Sequence, residues 1–383
     1  MFGVEKNIFT KKKKDVQFTM QFSQTVDNND LNNLLTMLKP YHKKIEIFFA
    51  EQIQFKSSAI QKFGEILMSI KNINYLQLVI KKCVLEGLEE IEQLALVLQK
   101  LQIQEINLVL QQSNLRQQGY IKLIQLFSSN KTVKDLSLDL SVNSLGPTGC
   151  SQVCQYLKNF ENIQVLSLNL GSNTIKQSGA IALGQELSKL QSLKELNLNI
   201  SCNSIGQDGI KQMLNNILKI TALQTLDLNL NQNFLSDFGA KQIGVELFAS
   251  KLQKVSLDLM HNSLSQQGII EFLTQLNFSY SLITISLNLN ENQIKNDSIN
   301  VILENLSQLK RIKFLELLFS VERNTDTEQY IQFGRALKQC QYLNALKINV
   351  CDQSKFIQHL QQNNSILRYM LKSKRMIQCY AYS

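Results

Sequence analysis

Asp237-Phe238-Gly239 is an acid–aromatic–glycine tripeptide of the kind that holds a metal ion for phosphoryl transfer. That chemistry also needs a glycine-rich phosphate loop and a His-Arg-Asp loop, and the sequence has neither. Asp237 is therefore expected to form a turn or cap a helix. Gly146-Pro147-Thr148-Gly149 reads as a turn, because no Gly-Lys-Ser/Thr follows it. Cys150 and Cys154 stand four apart, on one helical face. Two packed or partly buried thiols are expected there, with a redox or metal pair as the alternative. No two of His42, His261 and His359 lie at ligand spacing, so neither metal nor cofactor is expected.

These residues sit in a repeat. From Val133 the chain runs Leu136, Leu138, Leu140, Asn143, Leu145, Gly149, and the same offsets recur from Ile163, Leu193, Leu223, Leu252 and Leu282. The last copy has Ser298 where the others have glycine. Weaker copies, whose first strand positions are 16, 45, 76 and 106 upstream and 315 and 346 downstream, keep the same spacing as 136 to 285 in the central ones. Twelve copies at one period are the dominant signal in the chain. Apolar residues at every second position predict a short strand with one buried face. The Asn that follows has an amide suited to pair the backbone groups that a turn leaves open. Gly149 and its equivalents are expected to open a helix, since Val153, Leu157 and Phe160, or Leu183, Leu187 and Leu190, fall on one helical face.

The Leu-x-x-Leu-x-Leu…Asn-x-Leu-x-x-x-Gly pattern resembles the leucine-rich repeat of the ribonuclease-inhibitor-like type, in a long-strand variant of about 30 residues seen in some protists. The resemblance implies an α/β solenoid (a horseshoe) of about 12 repeats. Its parallel β-sheet would line the concave face and its α-helices the convex one. It places Cys83 at an Asn position, where the family accepts Cys. The expected organisation is a basic segment 1–15, a solenoid 16–365, and a basic segment or cap 366–383.

Hydrophobic residues make up 44% of the 383, enough for a core. No apolar run reaches the roughly 18 residues of a membrane span, and no secretory signal is apparent. With seven cysteines and no Cys-x-x-Cys pair, reduced thiols inside the cell are the expectation. Most of the net charge of +9 sits at the ends. Lys11, Lys12, Lys13 and Lys14, with Arg368, Lys372, Lys374 and Arg375, are electrostatic tether candidates for an acidic surface, whether nucleic acid, anionic membrane or acidic protein tails. The outward strand positions of the central repeats are small and polar, from Ser137 and Asp139 to Ser286 and Asn288. Phe48, Val79 and Val109 instead form an apolar row on adjacent strands, and Leu318 plays the like part near the other end, so these four are the partner-binding candidates.

The sequence thus points to a non-enzymatic protein–protein interaction scaffold, a subunit or adaptor of a larger intracellular, cytoplasmic assembly, with a ciliary or cytoskeletal one among the options. Two alternatives stay open. One is a GTPase-activating protein resembling the activator of Ran, although here the C-terminus is basic. The other is an adaptor tethered to RNA or membrane through its basic termini.

Overall fold

The computed structural model describes residues 17–22, 43–49, 57–70, 73–82, 88–113, 115–277, 279–294, 301–302, 304–306, 308–309, 311–318, 345–349 and 376–380. The chain forms two compact units, 1–175 with 185–198, and 176–184 with 199–383.

Unit 1 carries strands β1 (Gln17–Phe22), β2 (Lys44–Phe49), β3 (Tyr75–Ile80), β4 (Glu105–Val109), β5 (Asp135–Asp139), β6 (Val165–Asn169) and most of β7 (Glu195–Asn199). Helices α1 (Ser57–Ser69), α2 (Leu88–Lys100), α3 (Arg116–Phe127) and α4 (Gly146–Leu157) alternate with them. Helix α5 (Lys176–Leu187) is shared between the units. Unit 2 carries α6 (Gly206–Ile217), β8 (Thr225–Asn229), α7 (Ser236–Phe248), β9 (Lys254–Asp258), α8 (Gln266–Leu276), β10 (Thr284–Asn288), β11 (Phe314–Leu318), β12 (Ala345–Asn349) and β13 (Met376–Tyr380). In unit 1, β1 to β6 pair in parallel in chain order. In unit 2, β8 to β13 do the same.

The pairing register is the repeat itself. Leu136 and Leu138 lie opposite Leu166 and Leu168, and Leu226, Val255, Ile285 and Leu315 form one column through unit 2. All of these side chains are buried. Stacking apolar positions one strand apart gives each repeat the core it cannot make alone. The helices supply the opposite wall, for example through Ile210, Met213, Leu214 and Ile217 of α6.

Two expectations change. Among the described residues there are thirteen strands, one more than the twelve copies, because Met376–Tyr380 pairs with β12, Ile377 opposite Leu346 and Cys379 opposite Ile348. Ile-x-Cys keeps the alternation in a form too weak to read as a copy. The repeat glycine also does not open the helix. Helix α4 starts at Gly146 and α6 at Gly206, three residues before Gly149 and Gly209. The buried glycine serves close packing instead: a Cβ on Gly209 would lie 2.6 Å from Ile205 Cγ2 and 3.2 Å from Gln177 Cα of the preceding repeat.

The Asn after each strand wires neighbouring repeats together. Asn233 Nδ2 donates to the carbonyls of Leu230 (3.0 Å) and of Ile200 (2.9 Å), one repeat back. Its Oδ1 accepts from the backbone N–H of Asn203 (3.1 Å) and Ile205 (3.3 Å). Asn262 and Asn292 repeat this pattern in unit 2. In unit 1, Asn143 Oδ1 accepts from Ser113 N, and Asn173 Oδ1 accepts from Asn143 N and Leu145 N. The backbone around each Asn alternates into the left-handed region, as at Val142 (φ 60) and Ser144 (φ 51), or Gln232 (φ 56) and Phe234 (φ 57). That geometry aims successive N–H groups at the next amide.

Candidate interaction surface

The face of each sheet away from the helices shows strand positions one, three and five. Position five does structural work. Asp139 Oδ1 accepts from Ser141 N (2.9 Å) and Ser141 Oγ (2.7 Å), and Asn169, Asn199, Asn229, Asp258 and Asn288 each accept from the backbone N–H two residues on. These Asx turns end the strands. Half of the small polar outward positions read from the sequence are thus occupied in shaping the rim of the sheet.

Phe48, Val79 and Val109 are in register on β2, β3 and β4, as expected. The expectation of an exposed row fails at its centre, because Val79 is only 7% exposed. At a strand spacing of about 4.8 Å, apolar side chains on both flanks shield the middle one. Phe48 and Val109 are half-buried, as is Leu318, which stands opposite Asn288. The tether candidates Lys11, Lys12, Lys13, Lys14, Arg368, Lys372, Lys374 and Arg375 lie outside the described residues, as do Cys83, His42 and His359.

Charge is organised on the same face. Lys44 Nζ pairs with Glu46 at 3.1 Å and lies 4.5 Å from the Tyr75 ring centre. The hydrogen bond from Lys44 to Glu46 holds its ammonium above the ordinary lysine range. Burial pushes the Asp135 carboxyl up, helped by the like charges of Glu105 and Glu195.

The motifs with chemical spelling resolve structurally. Asp237 Oδ1 accepts from Ser265 N (2.7 Å) and its Oδ2 from Ser265 Oγ (2.6 Å), at the start of α8. Cys150 and Cys154 are buried on α4, and their mutual hydrogen bond with burial pushes the Cys154 thiol up, away from thiolate chemistry. Among the described residues no three His, Cys, Asp or Glu side chains gather to hold a metal ion, and no helix is long and apolar enough to cross a membrane.

One cluster escaped the sequence reading. Where the chain returns from helix to strand in unit 2, Tyr280 is 74% exposed, Phe314 45% and Ile283 38%. Arg311 Nη1 donates to the Tyr280 carbonyl (3.0 Å), and its guanidinium lies 5.3 Å from the Tyr280 ring centre. Lys313 N and Phe314 N both donate to Ile283 O, and Ile283 N donates to Gln253 O, next to Lys254. Placing 280 beside 311, one repeat apart, was the available signal, but both residues precede the strand pattern that the repeat template follows.

Parallel strands in register, a helix of 11 to 13 residues between successive strands from β2 to β10 and a running Asn ladder decide the fold. The fold is that of a leucine-rich repeat protein. No protein-family model and no curated protein matches the chain. Solved structures similar to it include the leucine-rich repeat-containing protein LegL7 from Legionella pneumophila, at 14% identity over 90% of this chain and 98% of that one, with a TM-score of 0.44. Another is the actin-binding site 2 of leiomodin-1, at 13% identity over 49% of this chain and 96% of that one, TM-score 0.31.

Proposed function

We propose that this leucine-rich repeat chain is a non-enzymatic protein-interaction scaffold, working as a subunit or adaptor of a larger assembly. One observation carries the reading. In each unit the outward strand face is a pre-ordered array, fixed by register and by Asx turns, with an apolar spot set in a polar field: Phe48 and Val109 in unit 1, Phe314 and Leu318 in unit 2. Binding to such a face costs little ordering entropy, which favours a protein partner.

The test is affinity purification from the native cell with wild type, Phe48→Asp and Leu318→Asp. A fixed partner set, lost with either substitution in a chain that still shows its native circular dichroism, supports the proposal. Full retention by both variants removes these spots, and stimulation of GTP hydrolysis by Ran would replace the scaffold reading with an activator.

A further inference from the structure

We propose that the return-loop edge of unit 2 binds an acidic protein segment through apolar anchors. The edge has two adjacent rows. Ser281 Oγ donates to Ser250 O (2.9 Å) and Arg311 to Tyr280 O, which lines up Lys251, Tyr280 and Arg311. The backbone bonds of Gln253, Ile283 and Lys313 line up Lys254, Ile283 and the pair Lys313–Phe314.

Its charge has one sign. Lys251, Lys254, Arg311 and Lys313 are exposed, and none forms an ion pair among the described residues. Segments 249–254, 277–284 and 308–314 contain no Asp or Glu. The nearest carboxylate along β11, Glu316, lies two residues into the strand. The chain's own basic termini carry the same sign, so they do not complement this edge.

Its apolar content selects among anions. Tyr, Phe and Arg are the residue types that carry interface energy when ringed by polar groups. Single-stranded nucleic acid wants a run of ring faces on which successive bases stack, whereas this edge offers Tyr280, with Arg311 over one of its faces, and Phe314. Ile283 also offers an aliphatic contact that a phosphate backbone does not use. A peptide mixing Asp or Glu with Phe or Leu answers both features: its carboxylates meet the cations and its apolar side chains cover Tyr280, Ile283 and Phe314.

The scaffold reading supplies only the class of partner. Three fluorescein-labelled probes are titrated against the full chain: the peptide Asp-Glu-Phe-Asp-Glu-Leu repeated three times, an all-glutamate peptide of equal length, and an 18-residue oligouridylate. The mixed peptide is expected to bind at least tenfold more tightly than either of the others. Tyr280→Ser combined with Phe314→Ser should weaken it tenfold or more. Lys254→Ser with Lys313→Ser should weaken it more at 50 mM than at 300 mM salt, as screening requires. Tyr280→Ser alone keeps the test valid should the Phe314 variant fail to fold, since Tyr280 is almost wholly outside the core. Absence of mixed-peptide binding, tighter binding of the oligouridylate, equal binding of the glutamate peptide, or indifference to Tyr280→Ser each overturns the proposal. Failure of all partner capture in the native cell sinks the scaffold reading, whereas capture indifferent to Tyr280→Ser sinks this inference alone.

Discussion

Asp237, in the first turn of α7, receives both the backbone N–H and the hydroxyl of Ser265, the residue that caps α8 one repeat later. Ser265 Oγ in turn accepts from Gln267 N at 3.1 Å. One carboxylate therefore fixes the cap of the next helix, and the N-terminal partial charge of α8 favours its negative charge.

Gly268 follows from this contact, because a Cβ there would run into Asp237 Oδ1, Cγ and the backbone Cα. Gly268→Ala should cost about 2–3 kcal/mol, as broken Asp237–Ser265 hydrogen bonds together with a forced shift of the Asp237 backbone. Asp237→Ala should cost about 1–2 kcal/mol. Urea unfolding followed by circular dichroism should show the double mutant less damaged than the sum. Strict additivity would mean that the two sites do not share the contact.

The Asn ladder predicts a larger effect. Asn233→Ala leaves the N–H groups of Asn203 and Ile205 without their acceptor inside the protein. The carbonyls of Ile200 and Leu230 each lose one donor and keep another, from Asn203 and Asn262. At about 1–3 kcal/mol for each orphaned N–H, partly relieved by relaxation, a loss of about 2–4 kcal/mol is expected. Asn233→Asp should be no better: its carboxylate still accepts from those N–H groups, but it is a buried charge set against the carbonyls of Ile200 and Leu230, to which it cannot donate. The same unfolding experiment measures both, and a loss under about 1 kcal/mol would contradict the ladder's role.

The left-handed residues give a prediction of opposite sign. Val142 is β-branched, exposed and held at φ 60. Val142→Gly should stabilise by about 0.5–1 kcal/mol, the relief of left-handed strain exceeding the entropy of a freer unfolded chain. Gly146 has φ 64 and open space around it, so Gly146→Ala should destabilise by about 1 kcal/mol through the same strain. Thermal melting of the two variants should move in opposite directions.

Asp135 predicts a pH effect. Burial and the charges of Glu105 and Glu195 raise its folded pKa above the unfolded value. Between those two values the native state binds more protons than the unfolded one, so stability falls as pH rises through that window. Asp135→Asn should melt higher than wild type at pH 7. The advantage should shrink as pH falls through the raised pKa into the ordinary carboxylate range. A constant difference across that range would assign the effect to something other than this carboxyl.

The repeat was legible because Leu136, Leu138, Leu140 and Asn143 are fixed by packing that every copy shares. Those constraints join each copy to the next at the same offsets, so a linear template captures them. Ile377 and Cys379 were missed because a single apolar pair carries too little pattern. Val79 was misread because exposure depends on both neighbours, Phe48 and Val109, and not on its own position in the copy. Tyr280 and Arg311 were missed for a related reason: their contact joins two return loops, and loops lie outside the periodic signal. Position five reads in the sequence only as small polar surface, because the turns that engage Asp139 and Asn169 are local hydrogen bonds that the repeat template does not encode.

The glycine offset and the ladder also bear on inheritance. Each Asn serves the copy before it in the same way that the next Asn serves it, so within a unit the wiring is unchanged by a shift of one copy. Gene segments that duplicate or drop out in whole multiples of 29 to 31 codons would rejoin the same amide to the same carbonyl. A gain or loss of part of a copy would instead set the amide opposite the wrong backbone groups. Copy number is therefore the change this architecture can inherit most readily, and the length of the surface it offers can drift without the invention of a new contact.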